Sequence, residues 1–342
     1  MLTALSVSFL AVLRIVLICL AGTWLVRRGI IDRAFCRSLS RLILHLMLPC
    51  LLIAKLSASA EWSNLVRWAL LPISALLYVA FGFGVGALVV WVTRPPPSLR
   101  RLVTAASAFG NSGYIPYPLV TALAATAPWL AGDPGAGDRG VAYISVYLLC
   151  MSPCLWGIGY PYLAHQPLRA LRREHFLSPP IIAALIGVGL GVVPWLHGLF
   201  VAPGAPLRVL IDAAGVIGEG VIPCALLVLG ANLSETPADS GDLPVRAYLG
   251  LACGRLLLMP ALGVVYVLAL RRWGLLPSDP MFALVLLVES AVPAATNLMV
   301  MCQVHGRNET AMAWVLVVNN LLAIATLSLW GGVFLWLLSR LA

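Results

Sequence analysis

Ala105 to Val120 reads AASAFGNSGYIPYPLV, and Leu287 to Met301 reads LVESAVPAATNLMVM. Both stretches lie inside apolar runs long enough to reach membrane depth, yet each carries residues that interrupt a helix. Gly110, Asn111, Gly113 and Pro116 interrupt the first; Pro293 and Asn297 interrupt the second. They occupy similar places in the two halves of the chain. Unwound backbone is tolerated at membrane depth only inside protein or beside a cavity, because lipid offers no hydrogen bonds. Paired broken helices of this kind point to the substrate site of an inverted-repeat transporter.

Working outward, the composition excludes a soluble protein. Of 342 residues, 61% are hydrophobic and only 10% charged, well below the roughly 25% charged of soluble domains. Ten apolar spans are expected, at about 5–26, 39–58, 65–92, 99–130, 141–163, 178–200, 206–233, 246–270, 278–303 and 309–338. The first is read as a retained span rather than a cleaved signal, since no basic segment precedes it. The net charge of +9 gathers in short loops, as at Arg27, Arg28, Arg33 and Arg37. That is the mark of topology and anionic headgroups, not of nucleic acid. The eight cysteines lack metal-ligand spacing and read as small apolar residues.

The halves repeat. LPCLLIAKL (Leu48 to Leu56) resembles IPCALLVLG (Ile222 to Gly230), and His45 and Glu219 each stand four residues before the shared proline. Residues 1–163 and 178–342 therefore read as two five-helix copies, joined by a short cytosolic linker at 164–177. Five is odd, so the second copy enters from the opposite face and the repeats are inverted. Counting arginines and Lys55 across the loops places both termini on the non-cytosolic side. The sequons at Asn232 and Asn308 then face the cytosol and stay without glycan.

A half-helix that starts after a break aims free N–H groups and a positive dipole end into the bundle, which suits a carboxylate. Asn111 and Asn297 can donate hydrogen bonds there, with Ser107, Ser112, Gly113, Tyr114, Pro116, Pro293 and Thr296 around them. Ionisable groups at membrane depth are costly and are functional candidates by default. These are Glu289, Glu219, His45 and Arg14 as proton or gating groups. Arg255 also lies in a span and is read, like Arg14, as snorkelling or pairing with an acid. There is no HExxH, P-loop or paired-aspartate pattern; neither an enzyme nor a cofactor is expected.

FGNSGYIPYPL (Phe109 to Leu119) resembles the fourth-span signature of the auxin efflux carrier family. Gly140 to Tyr160, IPCALLVLGANL (Ile222 to Leu233) and VPAATNLMVMCQVHG (Val292 to Gly306) are similar to its PIN-like branch, known as PILS. The likeness covers nearly the whole chain. It implies an all-α membrane fold of ten helices in two inverted repeats, shared with bile-acid symporters. Helices 1, 2, 6 and 7 would form a scaffold, through which a homodimer is implied. Helices 3–5 and 8–10 would form a transport domain moving as an elevator, with broken helices 4 and 9 crossing at the site. The implied substrate is a small organic anion such as indole-3-acetate, and the implied location the endoplasmic reticulum membrane, with the plasma membrane as the alternative. The long central loop of plasma-membrane members is replaced by Ala164 to Ser178. Tyr114, the alanines after Pro293 and Glu289 depart from the branch's pattern. A sodium- or proton-coupled symporter of bile-acid type and a non-transporting ligand-binding receptor are the alternative expectations.

Overall fold

A computed structural model describes residues 2–127, 130, 132–165, 178–233, 243–305 and 307–341. The described residues form eighteen α-helices and no strand beyond one isolated bridge. The basic cluster Arg169, Arg172 and Arg173, most of the linker at 164–177 and the acidic loop with Glu235, Asp239 and Asp242 lie outside them.

In the first half the helices are α1 (Leu2–Arg27), α2 (Arg33–Leu42), α3 (Leu48–Ser59), α4 (Trp62–Trp68) and α5 (Leu70–Thr93). They continue as α6 (Arg100–Ala108), α7 (Pro116–Thr126), α8 (Ala136–Cys154) and α9 (Tyr160–Ala164). The second half holds α10 (Pro179–Val192), α11 (Pro194–Phe200), α12 (Arg208–Glu219), α13 (Val221–Leu233) and α14 (Val245–Cys253). Then come α15 (Met259–Arg272), α16 (Pro280–Ala291), α17 (Asn297–His305) and α18 (Glu309–Leu341). Seven helical stretches among the described residues are long and apolar enough to cross a membrane, eight if α10 and α11 count as one.

Prolines shape several of them. Pro49, Pro161 and Pro260 each follow a five-residue π-helical turn, at Ile43–Met47, Leu155–Gly159 and Gly254–Leu258. A proline has no N–H and its ring crowds the carbonyl four residues earlier. In all three cases that carbonyl lies inside the widened turn, so the helix continues instead of breaking. Pro194 has a stronger effect. The apolar run at 178–200, expected as one span, bends by 99° between α10 and α11. Val193, held before a proline, adopts extended backbone (φ −81°, ψ 114°), which ends α10.

Helix packing is continuous through the bundle. α3 packs on α10 and α12, and α1 packs on α13. α5 packs on α6, α8 and α14, while α16 packs on α7, α8, α15 and α18. α1 packs as extensively on α18 as on α13 and also touches α7, and α3 touches α8. The α1–α13 crossing brings backbones together: a Cβ on Gly230 would strike the Cys19 carbonyl, and Thr23 Oγ1 donates to Gly230 O at 2.7 Å. Small residues at such crossings replace the hydrophobic drive that lipid removes. The interior is densest around α6 and α16, where Leu102 to Ala108 and Met281 to Ala291 are all buried.

Candidate substrate site at the paired helix breaks

The two interrupted stretches meet. α6 stops at Ala108 and α7 begins at Pro116; α16 stops at Ala291 and α17 begins at Asn297. Between these ends, short extended segments run antiparallel, with Gly110 bridged to Ala294. Asn111 N donates to Pro293 O at 2.8 Å, and Ala295 N donates to Phe109 O at 2.9 Å. Phe109, Asn111, Val292, Ala294 and Ala295 are all buried. The bridged backbone therefore sits inside the protein, where each break supplies hydrogen bonds that lipid cannot.

Arg255 holds the helix ends on either side of this bridge. It lies in the π-helical turn Gly254–Leu258 and is only 2% exposed. Its Nε donates to Val292 O at 2.8 Å and its Nη1 to Ser107 O at 3.3 Å. Val292 caps α16 and Ser107 is in the last turn of α6. One guanidinium thus serves the negative, carbonyl-bearing ends of both interrupted helices. The sequence suggested snorkelling or pairing with an acid; the partners are main-chain carbonyls. Gly110 is required by this arrangement, since a Cβ there would fall on the guanidinium and on Val292.

Of the site residues named from the sequence, Asn111, Ser112 and Pro116 are buried; Gly113, Tyr114, Thr296 and Asn297 are half-buried. Pro293 is buried and contributes its carbonyl to the bridge. Asn111 Oδ1 accepts from Tyr114 N at 3.2 Å, but its Nδ2 is buried with no partner among the described residues. Asn297 is the first residue of α17. The two helix starts differ as donors. Pro116 and Pro118 lack N–H groups, so Tyr117 alone offers one within the first three positions of α7. At α17 the N–H groups of Leu298 and Met299 turn back onto Ala295 O and Thr296 O. Side-chain amides therefore matter more here than a ring of free N–H groups.

The ionisable candidates separate. Glu289 is 1% exposed, on the last turn of α16, and neither carboxylate oxygen has a hydrogen-bond partner among the described residues. His45, Glu219 and Arg14 are exposed. His45 Nδ1 contacts Arg41 O at 2.9 Å within its own helix. Glu219 ends α12 and lines a surface cavity of about 300 Å³ with Lys55, Asp138, Arg208 and Asp212. Among the described residues, no ion pair joins His45 to Glu219, and no hydrogen bond or ion pair joins either to Glu289.

Charges at that end of the bundle are paired. Lys55 Nζ lies 2.6 Å from Asp138 Oδ1, joining α3 to the first turn of α8. Arg139, the next residue, faces Asp133 at 2.5 Å and Asp279 at 2.8 Å, and Tyr143 OH donates to Asp279 at 2.7 Å. The Arg139 hydrogen bonds hold the Asp133 carboxyl below its ordinary value. Among the described residues no group of three or more His, Cys, Asp or Glu is placed to hold a metal.

Comparison with known proteins agrees with this all-helical architecture. The family model described as membrane transport protein matches residues 7–167 and 163–331. Protein PIN-LIKES 5 of Arabidopsis thaliana is 26% identical over 88% of this chain and 89% of its own length. Protein PIN-LIKES 1 of the same plant is 27% identical over 89% of this chain and 73% of its own. An uncharacterised transporter of Saccharomyces cerevisiae is 30% identical over 44% of this chain. With nearly all of its length matched and its interior built around interrupted apolar helices, the chain belongs to the membrane transport protein family, among relatives of the PIN-LIKES proteins.

Proposed function

We propose that the protein carries small organic anions of the auxin class across a membrane, with the carboxylate bound at the paired breaks. The single observation that supports this best is the backbone bridge between Gly110 and Ala294, beside which the buried Asn111 Nδ2 lacks a partner among the described residues. A buried donor without an acceptor is costly, and a carboxylate oxygen would satisfy it. Asn297, first in α17, offers a second amide from the other break. Tyr114 and Ile115 supply apolar surface for the body of an aromatic acid.

In this reading the chain makes ten crossings as two inverted five-helix repeats, 1–163 and 178–342. The break between α12 and α13 at Gly220, three residues before Pro223, and the π-helical turn before Pro49 are similar disturbances at repeat-related places. Their likeness supports the repeat. The group containing α1, α3, α10, α12 and α13 acts as scaffold, and the group built around the breaks moves past it. The α1–α7, α1–α18 and α3–α8 contacts are the surfaces that slide.

The test is flux of radiolabelled indole-3-acetate in proteoliposomes, comparing the protein with Asn111→Ala and Asn297→Ala. Saturable flux that both substitutions remove from folded protein is expected. Saturable binding without flux would favour a receptor. Flux insensitive to both substitutions would move the site away from the breaks.

A further inference from the structure

We propose that Glu289 is a proton-binding site linked to anion binding at the paired breaks, one proton entering for each monovalent anion. The inference rests on the anion reading above and adds the coupling. It starts from an anomaly. Glu289 is 1% exposed, and both carboxylate oxygens lack hydrogen-bond partners among the described residues. The Ser112 side chain lies beside it. An ionised carboxylate so placed is among the most costly groups a protein can bury, whereas a carboxylic acid is far cheaper.

The surroundings set what proton binding does. From α5 the facing titratable group is Tyr78, whose hydroxyl donates to Leu286 O at 3.0 Å. From α7 it is Tyr117, whose hydroxyl meets Ser145 Oγ at 3.2 Å. α8 contributes Tyr147, with Cys150 behind it, and from α15 Tyr266 lies behind Tyr78, its hydroxyl meeting Ser74 Oγ at 2.8 Å. α18 carries no titratable residue between Glu309 and Arg340. Among the described residues Arg255 is therefore the one fixed charge facing Glu289 from these elements, and its Nε and Nη1 are already committed to Val292 O and Ser107 O.

Charge counting follows. With Glu289 protonated, Arg255 leaves one net positive charge beside the breaks. A monovalent anion brings the site to zero. With Glu289 ionised, the empty site is already neutral, and an anion would leave one uncompensated negative charge in a dry interior. Proton and anion thus favour each other's binding, by reciprocal linkage. On release the anion departs, the Glu289 proton passes to water, and the neutral Arg255–Glu289 couple returns. Arg255 would then have two duties: it positions both helix ends and supplies the charge that an anion neutralises.

Two measurements test this on the full chain in lipid nanodiscs. Infrared difference spectra between acid and alkaline solution should contain a protonated-carboxyl band that Glu289→Gln removes and Glu219→Gln, at an exposed position, leaves in place. Binding of indole-3-acetate should weaken about tenfold per pH unit above the range where that band is lost. In Glu289→Gln, which carries a permanently neutral amide, binding should no longer follow pH. Absence of a Glu289 band at any pH would overturn the proposal without reference to any ligand. So would pH-independent binding in the unsubstituted protein. A Glu289 band with no indole-3-acetate binding would instead retain the proton site and remove auxin from the function proposed above.

Discussion

The first break adds a side-chain bond within its own turn to the main-chain bonds it shares with the second. Between α6 and α7, Ser112 N donates to Gly110 O, and Asn111 Oδ1 accepts from Tyr114 N. Between α16 and α17, the carbonyls freed by the break belong to Val292 and Pro293, and their donors are Arg255 and Asn111 N. Similar interruptions in an apolar run can thus be stabilised in two ways: by a short polar side chain in the turn, or by a long cation sent from a distant helix. The second way makes α14–α15 a structural part of a break that they do not contain.

Substitutions can break or sharpen that contrast. The largest effect is expected for Arg255→Leu, which orphans Ser107 O and Val292 O at about 1–3 kcal/mol each. Thermal unfolding should fall accordingly, and amide exchange should rise more at 292–299 than at 109–115. Equal rises in both would mean that the breaks are not differently supported. Next comes Gly110→Ala, which pushes a Cβ into the guanidinium and should cost roughly 1–3 kcal/mol by overpacking. Combining it with Arg255→Lys, which removes the planar fork, should cost less than the sum of the two alone; strict additivity would show that the collision is relieved elsewhere. Asn111→Ala removes the acceptor for Tyr114 N but keeps the main-chain bond to Pro293 O. About 1 kcal/mol is expected, with faster exchange confined to 112–116. The smallest effect belongs to Asp138→Asn, which loosens a largely exposed pair with Lys55 remote from either break. Less than about 1 kcal/mol should be lost, and that loss should vanish at high salt.

How much of this was legible varied with the kind of information required. The two interruptions, and the roles of Gly110, Asn111, Pro293 and Asn297 in them, follow from residue types that cannot continue an apolar helix. That the interruptions meet was suggested by their matched positions. The donors they use were not, because a carbonyl's partner is set by tertiary packing. Arg255 shows this best. Its presence in a span was visible, but nothing in the run GRLLLMP says which helix ends it reaches. His45 and Glu219 lie apart from Glu289 in burial for a local reason. Each stands four residues before a proline, where the helix widens or stops, so ordinary helical spacing no longer fixes the face a side chain takes. The bend at Pro194 was hidden by composition, since residues on both sides of it are apolar enough for a continuous span.

The bridge from Asn111 to Pro293 also bears on how the protein is made. Its donor lies in the first third of the chain and its acceptor near the end, and Arg255, which secures Ser107, is separated from it by 148 residues. A nascent chain that has delivered α6 and α7 to the membrane holds an open stretch of backbone with no mate yet synthesised. Lipid cannot satisfy it. The first interrupted segment must therefore wait in a sheltered, hydrated place beside the insertion machinery until the last third emerges, and chains truncated before α16 should be retained there or degraded.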